Sequence, residues 1–207
     1  MHWDHIGEPR DFDKSTFIVG SGASDLLDGS SLSLRGGHSF FEADLLPKSR
    51  TVELSSPGSR SEQVSEYTKR NKLSTPVFNQ PWTSYRHLPH VLDIFQDGSV
   101  YIVDAPGHLP GHINLLARIG IDEYVYLGGD ACHDRRIMRK EKEIGTWSDA
   151  EGFTCCIHAN REEAEETIRC IQELERQGVE VIFAHDVEWE QDPKNQHRFW
   201  GFHEAVR

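Results

Sequence analysis

The middle of the chain is dominated by short apolar runs broken by glycine and aspartate. Val91 to Phe95 and Ser99 to Asp104 are two β-type runs parted by Gln96-Asp97-Gly98, a spacing that predicts a hairpin. Ile113 to Ile119 and Glu123 to Leu127 form a second strand-like pair across Gly120-Ile121-Asp122. Ser15 to Gly20 reads as a short strand stopped at Gly20-Ser21-Gly22. From Arg161 to Gln177 the period becomes helical, with Ala164, Ile168, Ile171 and Leu174 on one face. Asn160 is placed to cap that helix, Glu163 stands at its third position and Gly178 ends it. A buried strand, Val179 to Ala184, then runs directly into His185. Residues 48–72, rich in Ser, Arg and Glu with little periodicity, are expected to form a surface loop or insertion. No internal repeat is visible, and 1–207 reads as a single α/β domain.

Composition narrows the functions this pattern could serve. With 37% hydrophobic residues the chain has enough apolar side chain for a core. A formal net charge of -12 argues against nucleic-acid binding, which needs Lys and Arg to neutralise phosphates, and against a basic membrane-surface patch. No apolar run approaches the roughly 20 residues that span a bilayer. Cys132, Cys155, Cys156 and Cys170 show no CxxC spacing, so a reducing, cytoplasmic setting is expected. A small-molecule substrate fits an acidic chain of this kind.

Twelve histidines are many for 207 residues, and several stand where ligands would. His2-Trp3-Asp4-His5 packs two imidazoles and a carboxylate into four residues, a donor set suited to zinc and also to iron, manganese or nickel. By itself such a stretch fits a structural cluster equally well. Pro106-Gly107-His108 with Pro110-Gly111-His112, Gly129-Asp130 after a strand, and Ala184-His185-Asp186 after another add three further elements. A lone Asp or His at a strand end is usually a cap or a solvated group. Four such elements in this order are harder to dismiss, because strand ends hold ligands rigidly.

The stretches HWDHIG, APGHLPGH, YLGGDACH and IFAHD, spread from residue 2 to residue 186, resemble the metallo-β-lactamase superfamily. Within it they resemble the branch of N-acyl-homoserine lactonases and related small-molecule hydrolases. The resemblance implies an αββα sandwich of two mixed sheets flanked by helices, with the metals at one edge. It assigns His2 and His108 to a first metal, Asp4, His5 and His185 to a second, and Asp130 to a bridge between them. It further implies two zinc ions in the complete protein, with iron or manganese as alternatives, sharing a hydroxide that opens a lactone or related cyclic ester or amide. Asp4 would also hold or shuttle the proton. A thioester hydrolase of glyoxalase II type is the alternative within enzymes.

Two departures qualify the resemblance. The family motif has a further histidine before the one at position 2, and it is preceded by strands that this chain does not contain. An N-terminally incomplete domain is therefore expected, with a non-catalytic remnant as the rival outcome and exposed sheet edges that would permit a homodimer. The acyl-homoserine lactonases also carry a tyrosine three residues after the bridging aspartate, where this chain has His133. His133 is read either as a hydrogen-bond donor or general acid, or as a supporting residue. His112 is expected to support the site rather than bind metal. His38, His87, His90, His158, His197 and His203 have no counterpart in the family. Trp82, Trp147, Trp189 and Trp200 are expected in the core or in pocket walls, and Cys132 as a small buried residue.

Overall fold

A computed structural model describes residues 2–30, 34, 38, 41–59 and 76–199. In chain order the elements are β1 (Phe17–Val19), α1 (Ala23–Leu27), β2 (Thr51–Glu53), β3 (Thr83–Tyr85), β4 (Leu88–Asp93), β5 (Val100–Asp104), β6 (Ile113–Arg118), β7 (Tyr124–Leu127), α2 (Arg135–Met138), β8 (Thr146–Ser148), β9 (Thr154–Cys156), α3 (Arg161–Arg176), β10 (Glu180–Ile182) and α4 (Val187–Gln191).

β10-β7-β6-β5-β4-β3 form one mixed sheet in that order, parallel only between β10 and β7. Period-2 alternation divides its side chains between two cores. On one face Val91, Tyr101, Val103, Leu116 and Tyr126 pack against Ala164, Ile168, Ile171 and Leu174 of α3. On the other, Leu92, Ile94 and Ile102 meet Leu54 and the partly buried Ile18, Phe78 and Trp82. The second sheet of the expected sandwich is represented among the described residues by β1 and β2, paired in parallel from Phe17↔Thr51 to Val19↔Glu53. The expected loop at 48–72 therefore contains a strand at 51–53, and its residues 60–72 lie outside the described ones.

The helix expected from Arg161 forms as α3, with the Asn160 side chain accepting from the Glu163 amide and Gly178 at φ +86° just past its end. Its N-terminal end fixes the turn after β5. Gly107, at φ +113°, lies so close to α3 that a Cβ there would meet the Ala164 nitrogen at 2.2 Å. The amides of Ala159 and Asn160 donate to the carbonyls of His108 and Gly107, both at 2.9 Å, and Thr167 Oγ1 donates to Pro106 O. Because β5, β7 and β10 all run in one direction, their C-terminal ends share one edge of the sheet. That edge carries His108, Asp130 and His185.

One ion pair anchors the loop after β10. Arg135 on α2 donates from Nε to both carboxylate oxygens of Asp186, at 2.9 and 2.7 Å, and also bonds Val181 O and Glu175. Asp186 is buried and caps α4 through the Trp189 amide. Removing one partner of such a pair leaves an uncompensated buried charge. In metal-free protein Asp186→Ala is expected to lose about 3–5 kcal/mol in a urea titration. Glu175→Ala, which removes the exposed partner of the same arginine, is expected to cost less than about 1 kcal/mol. Equal losses would assign the anchoring to packing around Arg135 instead.

Candidate metal centre

The centre is assembled from four segments that are remote in sequence. His2, Asp4 and His5 come from a 3-10 turn closed by the His5 amide on His2 O at 3.0 Å. His108 lies in the turn after β5, Asp130 in a 3-10 turn after β7, and His185 just past β10. The ladder between β7 and β10 continues into these loops, with Gly128 N on Ile182 O at 2.8 Å and Ala184 N on Gly129 O at 3.0 Å. Asp130 and His185 are thereby held at a fixed separation.

Asp130 is the hub. It is 5% exposed, and its Oδ2 lies 3.0 Å from His5 Nε2, 3.2 Å from His108 Nε2 and 3.9 Å from His2 Nδ1. Its Oδ1 lies 3.3 Å from His185 Nε2 and 3.8 Å from His133 Nε2. Asp4 Oδ2 stands 3.5 Å from both His5 Nε2 and His185 Nε2. All six residues assigned to metal by the resemblance thus converge, as two triplets with donor atoms within 4.8 Å of one another: His2, His108, Asp130, and Asp4, His5, His185.

These donors fit divalent cations. Tetrahedral zinc with bonds of about 2.0–2.1 Å separates its donors by about 3.3 Å, and the spacings around Asp130 and Asp4 lie on either side of that value. Buried Asp130 Oδ1 has no hydrogen-bond partner, as expected of an oxygen aimed at an ion. Two buried rings favour the uncharged form that a metal needs. Burial brings His108 down to about 4 against the opposing pull of Asp130, and burial likewise lowers His133. Burial alone would raise Asp130, but the hydrogen bond from His108 and the nearby imidazoles hold it below the usual carboxylate range.

Two histidines without family counterparts also stand here. His38, 2% exposed, places Nε2 3.4 Å from the Cys156 carbonyl and Nδ1 2.9 Å from His2 Nε2. A carbonyl only accepts, so His38 carries its proton on Nε2 and accepts from His2 Nε2–H with Nδ1. That leaves the lone pair of His2 on Nδ1, facing His108 and Asp130. His38 therefore sets both the tautomer and the tilt of His2, on which it stacks at 5.1 Å. His158, also 2% exposed, packs edge-on to His108 with ring centroids 5.4 Å apart.

His112 is held by its Nδ1 donating to Ala105 O at 3.1 Å, a supporting role. Cys132 is fully buried with its thiol on Asp134 O, and burial raises its pKa. Trp147 departs from expectation: it lies on β8 and is 43% exposed rather than in a wall. His203 and Trp200 lie outside the described residues.

A cavity of about 250 Å³ opens on the His2, His5, His108 and Asp130 side, walled by Ile18, Val19, Leu109, Pro110 and Ile113. A second, of about 420 Å³, lies on the His133 and His185 side among charged residues including Arg136 and Glu188.

The role of His38 is testable without substrate. His38→Phe keeps an aromatic face against His2 but removes the acceptor, and Zn2+ affinity is expected to fall about 10–100-fold for one equivalent. Chelator competition measures this, and an unchanged affinity would show that packing alone orients His2.

No family model matches the chain. Known proteins nevertheless resemble it. A cytochrome P450 monooxygenase of Penicillium roqueforti is 30% identical over 203 residues, spanning 89% of this chain and 21% of that protein. A metallo-hydrolase of Annulohypoxylon moriforme is 31% identical over 126 residues, 46% of this chain and 33% of the relative. A gamma-lactamase of Fusarium pseudograminearum is 29% identical over 136 residues, 64% of this chain and 27% of the relative. The chain thus spans about a fifth to a third of these relatives' length, and their names describe much longer proteins. Among solved structures, an N-acyl homoserine lactone hydrolase with N-hexanoyl-L-homoserine bound at its catalytic metal centre matches with a TM-score of 0.54 at 18% identity, over 92% of this chain and 54% of that one. The mixed sheet with its flanking helices has the lactonase form of the metallo-β-lactamase fold.

Proposed function

We propose that this domain is a metal-dependent hydrolase that opens a cyclic ester or amide with an apolar substituent. The observation that carries the reading is the sharing of one buried carboxylate, Asp130, by the His2–His108 pair and the Asp4–His5–His185 triplet. His2, His108 and Asp130 would hold one ion, Asp4, His5 and His185 the other, with Zn2+ the cation that this mixture of imidazole and carboxylate favours. When bound, such ions lower the pKa of water and polarise a carbonyl.

The chain's own residues supply the rest. Asp4, exposed and beside His5 and His185, is placed to take the proton of the attacking water and return it to the leaving oxygen or nitrogen. His133 reaches the Oδ1 side of Asp130. Because burial favours its uncharged form, it would act as a hydrogen-bond donor rather than as an imidazolium acid. The apolar wall of the smaller cavity would hold the substituent next to the donor atoms. The γ-lactamase and lactone-hydrolase relatives support a five-membered ring as the reacting group.

Purified protein reconstituted with Zn2+ is expected to open γ-lactones or γ-lactams bearing alkyl or aryl groups. Asp130→Ala and His108→Ala should reduce turnover to background, and chelation should do so reversibly. Hydrolysis of acyclic thioesters alone would favour the thioesterase reading. No Asp130-dependent hydrolysis of any of the three classes would reject an enzymatic role for the chain.

A further inference from the structure

His158 is the least satisfied side chain of the centre. It is 2% exposed, and neither ring nitrogen has a hydrogen-bond partner among the described residues. A neutral imidazole carries one donor and one acceptor, and buried polar atoms of this kind are ordinarily paired. Its neighbours are two more rings with the same deficit, since Nδ1 of His108 and Nδ1 of His133 are also buried and unpartnered. The three rings form a nearly equilateral triangle, with centroids 5.3 Å apart for His108–His133 and 5.4 Å for each pair with His158. One nitrogen from each lies within 4.8 Å of the other two.

The backbone builds this triangle. The Ala159 and Asn160 amides bond to the carbonyls of His108 and Gly107, so the segment carrying His158 is stitched to the one carrying His108. Gly107 permits that approach by having no Cβ to strike Ala164. His133 follows the Asp130 turn, three residues on.

We propose that His158 is a metal ligand which, with His108 and His133, forms a tri-imidazole seat for one transition-metal cation beside the carboxylate-bridged pair. Three neutral nitrogen donors select borderline cations such as Zn2+ or Co2+ over Mg2+ or Ca2+, which take oxygen. A three-histidine set leaves zinc's fourth position open for water or substrate. The seat shares His108 with the His2–His108–Asp130 triplet, so it offers the ion on that side a second, purely imidazole environment. It rests on the metal-binding part of the proposed function. It also assigns His133 to metal rather than to substrate.

The test compares Zn2+ affinity, by chelator competition, and Co2+ visible spectra for the wild-type chain, His158→Gln and His87→Gln, the last an exposed histidine as control. Expected is a loss of at least about tenfold in one equivalent of Zn2+ and an altered Co2+ spectrum in His158→Gln alone. Wild-type affinities and an unchanged spectrum in folded His158→Gln would overturn the seat. Should that variant fail to fold, histidine-¹⁵N spectra of the wild-type chain decide: Zn2+ moves a His158 nitrogen resonance if the ring is a ligand and leaves it in place if not. Hydrolysis that persists with His158-independent metal binding overturns this proposal only. His158-dependent binding in a chain without hydrolysis overturns the hydrolase reading only.

Discussion

A buried carboxylate that its neighbours do not neutralise is the constraint on which the rest of the centre depends. Asp130 is nearly inaccessible, yet burial of the adjoining His108 favours its uncharged state, down to about 4. Its Oδ1 has no hydrogen-bond partner among the described residues. Burying a charge is costly unless it is paired, hydrogen-bonded or bound to a cation. Here the donor atoms that converge on the carboxylate are of types that bind metals, at spacings that suit an ion between them. The local charge balance therefore calls for cations, and the protein's net charge of -12 favours their arrival.

Holding such groups in register requires rigid supports, and the loops carrying His108, Asp130 and His185 are each tied by backbone hydrogen bonds to a segment other than their own strand. The Asp130 turn and the His185 loop are joined by the extended β7–β10 ladder. The His108 turn is joined to the N-terminal end of α3. Arg135 clamps Asp186 next to His185, and His38 clamps His2. Metal sites perform when the residues behind the ligands are fixed as firmly as the ligands. That condition explains why glycine occupies position 107, where any side chain would push the His108 turn off the helix.

What was legible in the sequence was what depends on local pattern. The strands from Leu88 to Leu127 read as short apolar runs because both faces of their sheet meet a core, and α3 declares itself by its cap and its apolar stripe. The six candidate ligands could be picked out because His108, Asp130 and His185 follow strands in glycine- or proline-marked motifs and His2, Asp4 and His5 cluster within four residues. β2 and the β8–β9 hairpin were not legible: three-residue strands such as Thr51–Glu53 and Thr146–Ser148 are mostly exposed and carry no alternation. His38 and His158 were missed for a different reason. His38 reaches His2 across 36 positions and Cys156 across 118, and nothing in its local sequence encodes those partners. For His158 one signal was available: it lies two residues before the Asn160 cap, so that the helix end docking on the His108 turn brings it along.

The arrangement also bears on which chemistry the centre would perform. Cys132 is the one cysteine beside the Asp130 turn, and its thiol is buried, bonded to a backbone carbonyl and raised in pKa, the reverse of what a nucleophile needs. An attack by water on the substrate carbonyl would then suit the proposed hydrolase, with Asp4 as the exposed carboxylate that would handle the proton. The two cavities beside the centre differ in their lining. The one on the His108 side is walled by aliphatic residues and suits an apolar substituent, whereas the one beyond His133 is lined with charges of both signs. A strongly anionic thioester such as a CoA derivative would meet an acidic protein and an apolar cleft too small for its body. A compact neutral ring meets neither obstacle, which is the physical ground for preferring cyclic esters and amides over the thioester alternative.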